Sequence, residues 1–412
     1  MDKYQVFTMI AKDSYYSPED LRYNKKYGFL LSKEQFNEFL DIKDSMMLSE
    51  NIFNKLSLKT FNSKHCFYVK GLYLLNLLKT YYATAVEDIK QNDSFVINRN
   101  FGDIIVSRAF SEIEGTLNIE NVPTTRKRIS EIYKSGNLTD KNDVIIKNML
   151  NAMKFIIDDM PPFTKDNLRK LYNILSEDCL DDDDRLPPNA YYRNDAVSIG
   201  GFDGADADKI DELMDSLFEF ANDPGNINRH DIVFPHICHY YILYVHPYFD
   251  YNGRTARMVS FWLSYINDIK AAPLFISEAI NENKSDYYKA IANTRIMNND
   301  LTYFLGFLMD SSIKFSFLYK NLEELKKTLA AHGDFLTNTE LTYVKKILIH
   351  NSDSYFNYKL FLEYINGNMT KQGALKMLDR LSEYGILEKS QNKKNENIYK
   401  VNDKLIVYQY PK

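Results

Sequence analysis

The sequence has few cysteines and no excess of positive charge, and each absence excludes a class of protein. The chain of 412 residues contains three cysteines, far apart and without a CxxC spacing. This excludes a disulfide framework and a zinc ribbon. The formal net charge of −5 argues against a protein that coats nucleic acid over its whole surface. An apolar fraction of 45% with 26% charged residues is typical of a folded globular protein.

Long apolar runs are missing as well. The most apolar stretch, residues 67–86, is interrupted by Lys70 and Lys79, which predicts a buried helix and not a membrane span. The chain begins with MDKYQVF and lacks the basic start and apolar run of a secretory signal. We therefore predict a cytoplasmic protein without a membrane partner.

Glycine and proline are scarce, with 15 and 11 residues, and their clusters predict a small number of loops. Between the loops, apolar residues recur at intervals of three and four, as in residues 143–158 and 207–222, which is typical of helices. The predicted fold is therefore mostly α. The predicted regions are a helical N-terminal region (1–102), a helical core (103–318), a linking helix (319–332) and a winged-helix-like domain (333–412).

The predicted C-terminal domain combines a helix with two strands. A helix that begins near Thr370 runs to Tyr384, and the β-prone runs Ile386–Lys389 and Asn397–Val401 flank a polar segment that resembles a wing. Residues 333–412 contain twelve Lys and Arg against nine Asp and Glu. If the domain binds DNA, the helix would enter the major groove and Lys393-Lys394 would contact phosphates. Dimerisation or docking of another protein are the alternatives.

The segment 246–257, HPYFDYNGRTAR, concentrates groups that suit phosphate chemistry. It joins two apolar helices, so its glycine turn lies at a helix N-terminus, which favours an anion. Arg254 and Arg257 are three residues apart and share one face of that helix. Asp250 offers a hard oxygen for Mg²⁺, and His246 has an unperturbed pKa suited to proton abstraction near neutral pH.

This run resembles the signature of the Fic family, His-x-Phe-x-(Asp/Glu)-Gly-Asn-Gly-Arg-x-x-Arg. Tyr248 replaces the usual Phe, and Tyr251 replaces the usual Gly and adds a side chain beside the anion site. The matching positions are His246, Asp250, Asn252, Gly253, Arg254 and Arg257.

The resemblance implies a helical Fic core that transfers AMP from ATP to a Ser, Thr or Tyr hydroxyl of a target protein. His246 would remove the proton of that hydroxyl, and Asp250 would hold Mg²⁺ on the phosphates. Asn252 and the Gly253 N–H would bind the α- and β-phosphates. Arg254 would lie on the β/γ side, and Arg257 would bind the γ-phosphate.

Two further segments fit the resemblance. Residues 188–204 predict a short hairpin like the family's flap, which aligns a target segment by β-strand addition. Tyr288 and Ile291 are candidate walls of an adenine pocket, although tyrosine at helical spacing also suits a core. The candidate docking residues of the flap are Arg193, Val197, Ser198 and Ile199.

Residues 111–115, SEIEG, resemble the family's inhibitory motif, (Ser/Thr)-x-x-x-Glu-(Gly/Asn). In this interpretation a helix at about 103–115 carries Glu114, which pairs with Arg257 and keeps the ATP γ-phosphate from binding productively. Ser111 would take the place of the Ser/Thr of the motif, one position away from the expected one. The alternative is a helix C-terminus with Gly115 as its cap.

The paired histidines near the signature invite a zinc hypothesis. His236 and His239 lie three apart on one helix, but no HExxH is present. The family tends to carry a histidine where His239 stands, so a core role is favoured for it.

Two functions are compatible with these patterns. The first is an autoinhibited protein adenylyltransferase that uses Mg-ATP, with possible self-modification and a possible homodimer. The second is a DNA-binding regulator whose Fic-like core senses nucleotide. UMP, GMP or phosphocholine are alternative groups for transfer, and the target protein cannot be read from the sequence.

Overall fold

Helices dominate the architecture. The computed structural model describes residues 1–24, 30–47, 51–91, 103–226, 231–267, 276–331, 333, 335–350, 354–365 and 367–405. Within these ranges the strands form three two-stranded antiparallel hairpins. The prediction of a mostly α fold is confirmed. The chain divides into two units, residues 1–312 and 313–412.

The N-terminal region combines helices with a hairpin that the sequence did not predict. Its first two helices begin at capping boxes, Asp2 with Gln5 and Ser17 with Asp20, which satisfy backbone donors that helix ends leave open. The predicted boundary at residue 102 lies outside the described residues. The elements are α1 (Lys3–Ile10), α2 (Pro18–Tyr23), α3 (Lys33–Met47), β1 (Phe53–Lys55), β2 (Phe67–Val69) and α4 (Leu72–Gln91).

The core consists of ten helices and one short hairpin among the described residues. Thr125, Asp140 and Thr164 accept backbone N–H groups as N-caps. The predicted linking helix is not a separate element, because α14 continues through it. The elements are α5 (Asp103–Ile119), α6 (Arg126–Ser135), α7 (Lys141–Asp159), α8 (Lys165–Ser176), β3 (Ser198–Ile199), β4 (Phe202–Asp203), α9 (Ile210–Asn222), α10 (Phe234–Val245), α11 (Asn252–Ile266), α12 (Ile276–Glu282), α13 (Lys284–Ile296) and α14 (Thr302–Ala331).

A buried ion pair fixes the N-terminal region to the core. Lys43 of α3 and Asp300, which precedes α14, are 1% and 0% exposed and pair with each other. The Tyr15 hydroxyl donates to the same carboxylate at 2.5 Å, and the backbone N–H of Thr302 donates to its other oxygen at 3.0 Å. Removal of one partner from a buried pair is costly. This contact therefore holds the N-terminal region to the core, and both belong to the first unit.

Two core helices, α10 and α11, hold the segment singled out in the sequence. Every residue of α10 except Leu243 is buried, as expected for a helix that is apolar on all sides. On α11, Trp262 is fully buried and donates its indole N–H to the carbonyl of Pro161 at 2.9 Å. The loop between these helices therefore has two rigid supports.

The second unit contains the last part of α14, from residue 313, then three helices and a hairpin. Thr370 caps the last helix, and Phe361, Leu378 and Tyr399 are fully buried in its hydrophobic core. An isolated bridge joins Phe356 to Tyr399. The predicted helix from Thr370 to Tyr384 corresponds to α17, and the two β-prone runs correspond to the hairpin, whose first strand begins one residue and ends two residues later than predicted. The elements are α15 (Asn338–His350), α16 (Tyr358–Tyr364), α17 (Lys371–Glu383), β5 (Leu387–Gln391) and β6 (Asn397–Val401).

Two features of the described residues bear on the predictions about membrane spans and cysteines. No helix among them is both long enough and apolar enough to cross a membrane. All three cysteines, Cys66, Cys179 and Cys238, are buried and unpaired.

Candidate functional site

The loop from His246 to Tyr251 is closed by its own side chains. Asn252 accepts the backbone N–H of Tyr248 at 3.0 Å and donates to the Tyr248 carbonyl at 2.8 Å. The Tyr248 ring is fully buried and stacks on Tyr172 with ring centroids 3.8 Å apart. The side chain of Asn252 therefore shapes the loop, and only its backbone N–H remains for the predicted phosphate contact.

His246 lies at the C-cap of α10 with φ of 54°. Burial, together with the positive charges of Arg193 and Arg295, lowers its pKa to about 4. The Nδ1 atom is buried, which leaves Nε2 as the nitrogen available to a substrate. A neutral imidazole at physiological pH can accept a proton, so the environment suits a general base.

Arg193 fixes the loop of His246 to the flap segment. It donates from Nε to the His246 carbonyl at 2.8 Å and from its backbone N–H to the Pro247 carbonyl at 2.9 Å. A further guanidinium N–H bonds the Ala205 carbonyl at 2.6 Å. With 2% exposure Arg193 is not available for docking a target, so that part of the prediction is wrong.

Arg295 of α13 holds the same region from another side, and no motif or spacing in the sequence indicates this residue. Its guanidinium donates to the carbonyls of Leu243 at 3.1 Å, Tyr244 at 3.0 Å and Asp203 at 3.2 Å. The first two carbonyls belong to the end of α10, and the third belongs to β4. Two arginines thus join the flap to the helix end that carries His246.

The flap is a minimal hairpin. Ser198 pairs with Asp203 and Ile199 with Phe202, and the turn residues Gly200 and Gly201 have φ of 54° and 87°, as a type I′ turn requires. Of the remaining predicted docking residues, Ser198 is exposed and Val197 is partly exposed. Their role in docking stays a prediction.

The protonation of His246 gives a first testable prediction. A nuclear magnetic resonance titration of the histidine ring signals should place the His246 midpoint about two pH units below that of an ordinary histidine. Because the folded pKa is depressed, the unfolded chain binds this proton more readily, and His246 should cost stability as pH falls from 6.5 towards 4. A midpoint near 6.5 would contradict the described environment.

Arg254 is a buried cation with little pairing. Its side chain is 8% exposed and approaches the Asp250 carboxylate at 3.4 Å, and within the described residues its Nε has no hydrogen-bond partner. Its guanidinium carbon lies 3.3 Å from the ring centroid of Tyr251. A guanidinium with unused donors at a helix N-terminus is prepared for an anion.

Asp250 fits the metal role that the sequence predicts. Its side chain is 51% exposed, and one oxygen accepts the backbone N–H of Tyr251 at 2.6 Å. Its negative charge adds to burial in raising the pKa of Asp184, so the exposed acidic run 181–184 lies near it. No group of three or more His, Cys, Asp or Glu in the described ranges could hold a metal, and Mg²⁺ bound with a nucleotide needs few protein ligands.

The predicted pair of Glu114 with Arg257 is not present. Glu114 instead bonds Arg126 at 2.9 Å, and Arg126 also pairs with Glu278. Gly115 is neither a motif glycine nor a cap, because it lies inside α5. A Cβ there would come within 2.7 Å of the backbone of Ser277 and Glu278, so the glycine permits close packing of α12.

The partner of Arg257 is Glu120, one residue after α5. Arg257 donates to the Glu120 carboxylate at 2.5 Å and from Nε to the Thr116 hydroxyl at 2.6 Å. Burial alone would raise the pKa of Glu120, but the charge and hydrogen bond of Arg257 outweigh it and hold that pKa low. A Cβ at Gly253 would lie 2.6 Å from the same carboxylate. Glu120 therefore places a negative charge at the anion site.

A signal for Glu120 was present in the sequence. Residues 116–121, TLNIEN, match the pattern (Ser/Thr)-x-x-x-Glu-(Gly/Asn) at every fixed position, whereas Ser111 and Glu114 match only with a shift of one residue. Ser111 is buried on α5. In the structure Arg257 therefore pairs with Glu120 and Thr116, and not with Glu114 as the sequence predicts.

Glu112, one turn before Thr116, is a buried acid beside the same arginine. One oxygen accepts the backbone N–H of Ser277 at 3.0 Å, and the other finds no partner among the residues described. Burial, and then the negative charge of Glu278, raise its pKa to about 7, against the opposing charge of Arg257.

A Glu112→Gln variant should therefore be more stable than the parent at pH 8 and lose this advantage towards pH 5. The folded pKa is raised, so stability from Glu112 is present below 4.5 and is lost as pH rises through 7. The gain should reach about 3 kcal/mol in free energy of unfolding at most. Urea titrations at several pH values measure it, with Glu114→Gln as control, and a gain independent of pH would argue against this pKa.

The remaining candidates lie around Arg257 or in the core. Tyr288 is half-exposed, and burial and then the negative charge of Glu120 raise its pKa against the opposing charge of Arg257. Ile291 is partly exposed, and a role of either residue in adenine binding stays a prediction. His239 is buried and hydrogen-bonded to the Tyr287 hydroxyl at 2.9 Å, which is a core position.

Comparisons with known proteins place this site in a recognised domain type. Residues 162–264 match the model of the Fic/DOC family, and this segment contains the flap, α10, all but the last two residues of α11, and the whole loop between the two helices. The resemblance noted in the sequence is thereby confirmed for this segment. The remainder of the chain lies outside the match.

Solved structures resemble the chain at low identity. A Fic family protein from Desulfovibrio desulfuricans G20 is 15% identical over 80% of this chain and 95% of its own, with a TM-score of 0.49. Fic-1 from C. elegans is 17% identical over 61% and 73%, with a TM-score of 0.45. A Fic domain containing signaling protein from Bacteroides thetaiotaomicron VPI-5482 is 16% identical over 64% and 98%, with a TM-score of 0.37.

Proposed function

We propose that the chain is a protein adenylyltransferase, which moves AMP from Mg-ATP to a hydroxyl of a target protein. Members of the Fic/DOC family commonly transfer AMP or other nucleotide groups onto proteins. The observation that carries the proposal is the combination of a neutral, desolvated His246 at the end of α10 with a buried and barely bonded Arg254 in the first turn of α11. A base and an anion site within one short loop suit attack of a hydroxyl on a phosphate.

The residues divide the reaction between them. Nε2 of His246 takes the proton of the target hydroxyl as its oxygen bonds to the α-phosphorus. The bond from that phosphorus to the β-phosphate oxygen breaks, and pyrophosphate leaves. Arg254 and the first N–H groups of α11 bind the phosphates and stabilise the charge that develops there. Mg²⁺, held by Asp250 and the phosphates, would neutralise part of the negative charge.

The same proposal includes autoinhibition by Glu120. Its carboxylate is bonded to Arg257 and lies against Gly253, so it occupies charge and space that a terminal phosphate of ATP requires. Thr116 holds Arg257 in this arrangement. We refer to Glu120 and Arg257 as the inhibitory pair.

The test is incorporation of label from α-labelled ATP with Mg²⁺ into protein, in the parent and in Glu120→Ala. Label that enters the variant supports the transferase. Absence of label from both would refute transfer of AMP. Mass spectrometry with UTP, GTP or CDP-choline as unlabelled donor would then show whether another group is transferred instead. Self-modification appears in the same experiment as label on the chain itself.

DNA binding by the second unit stays a prediction. Helix α17 and the β5–β6 hairpin supply the elements that a winged-helix interaction would use, and Lys393 and Lys394 lie in the turn between the strands. A homodimer likewise stays a prediction.

A further inference from the structure

Tyr251 has an unusual backbone conformation for its size. Its φ of 66° lies in the left-handed region, which costs a bulky residue about 1–2 kcal/mol relative to glycine. Such strain persists where the surrounding structure enforces it, and it often marks a functional position. Glycine would fit this position without strain, so the tyrosine ring needs a separate explanation.

The ring does not extend into solvent beside the phosphate site. Tyr251 is 3% exposed, the buried thiol of Cys179 lies near enough to its hydroxyl to help raise the hydroxyl pKa after burial, and its face lies under the guanidinium of Arg254. The separation of 3.3 Å between the guanidinium carbon and the ring centroid corresponds to a stacked cation–π contact. The ring and the arginine are therefore a single packed unit.

This stack leaves the Nε donor of Arg254 without a hydrogen-bond partner among the described residues. A ring face attracts the flat side of a guanidinium and makes no demand on the N–H groups in its plane. Asp250, four residues before Arg254, accepts one terminal N–H of the guanidinium, but this contact is long, at 3.4 Å. The ring thus supports the cation in place of a tight ion pair with the carboxylate.

We propose that Tyr251 is a positioning residue that holds Arg254, through its ring face, ready for the phosphates of the nucleotide and without a tight ion pair to Asp250. The inference rests on the proposed function for the identity of the ligand. The position of Arg254 itself can be tested without any nucleotide. Because the aromatic ring supports Arg254, phenylalanine at position 251 should hold the guanidinium as tyrosine does, and an aliphatic side chain should not.

The first experiment measures the reactivity of Arg254 with phenylglyoxal by peptide mass spectrometry in the parent, Tyr251→Phe and Tyr251→Leu. Both variants keep a side chain at φ of 66°, so they share the backbone strain. Arg254 should be modified slowly in the parent and Tyr251→Phe and several-fold faster in Tyr251→Leu. Equal rates in all three would overturn the proposal, whether or not the chain transfers AMP.

The second experiment measures binding of Mg-ATP by calorimetry in a Glu120→Ala background, which leaves the anion site open. Tyr251→Leu should bind about tenfold more weakly, the loss expected for a desolvated cation–π contact, and Tyr251→Phe should bind like the background protein. Equal weakening in Phe and Leu would assign the effect to the Cys179 contact and refute the role of the ring. Failure of the background protein to bind ATP would refute the proposed function, while the phenylglyoxal rates would still decide the role of Tyr251.

Discussion

A Glu120→Ala variant is expected to incorporate label from ATP on the order of ten to a hundred times faster than the parent chain, the range that typical coupling free energies allow. The substitution removes the carboxylate that bonds Arg257 and lies against Gly253. Arg257 then becomes available to the terminal phosphate. Initial rates of AMP incorporation at fixed Mg-ATP measure the effect.

Glu114→Ala is the matched control for this prediction. Glu114 lies on α5, which ends one residue before Glu120; it also pairs with an arginine and is 24% exposed against 28% for Glu120. Because its partner is Arg126, its removal should leave the rate of the parent unchanged. Acceleration by Glu114→Ala alone would restore the assignment made from the sequence, and equal acceleration by both would indicate a general loosening of the helix end.

A His246→Ala substitution in the Glu120→Ala background is expected to lower transfer by about 10²–10⁴-fold, the usual contribution of a general base. The imidazole is neutral and desolvated, so its removal takes away the group that is proposed to accept the proton of the target hydroxyl. The affinity for Mg-ATP should change little, since the phosphates are assigned to α11. Label incorporation and calorimetry on the same protein separate the two effects.

His65→Ala provides the comparison for His246. This histidine is exposed between β1 and β2, and its removal should leave transfer unchanged. Transfer that survives His246→Ala would assign proton removal to another group and would leave His246 as a structural cap of α10.

The sequence predicted the parts of the site that are contiguous. His246, Asp250, Arg254 and Arg257 fall within twelve residues, so their types and spacing suffice to place them at one helix N-terminus. The fold class was accessible for a similar reason, because helical periodicity is a local pattern. The flap hairpin was also predicted, since its Gly200-Gly201 turn is a local signal.

The contacts that depend on distant segments could not be read in the same way. Arg193 and Arg295 reach the end of α10 from 53 and 52 residues away along the chain, and neither spacing nor composition points to these contacts. Gly115 resembles part of an inhibitory motif, but its lack of a side chain serves the packing of α12. Residues 116–121 match the same pattern, and the contact of Glu120 with Arg257 is visible only in the fold.

The direction of the Tyr251 side chain shows the same limit. From the sequence, a tyrosine in place of glycine predicts crowding at the anion site. In the structure the left-handed backbone and the thiol of Cys179 direct the ring beneath Arg254. The substitution therefore changes the support of the arginine and not the space above it.

The burial of α5, the helix that precedes Glu120, determines what a mutation of Glu120 would do to the protein. Ile113, Leu117 and Ile119 of α5 are 0% exposed, so the helix is part of the hydrophobic core and cannot leave without loss of stability. Under the proposed autoinhibition, release therefore depends on one side chain and not on a detachable segment. Glutamate and glycine codons differ by a single base, so we expect one point mutation in the gene at Glu120 to produce a folded protein that lacks the inhibitory pair.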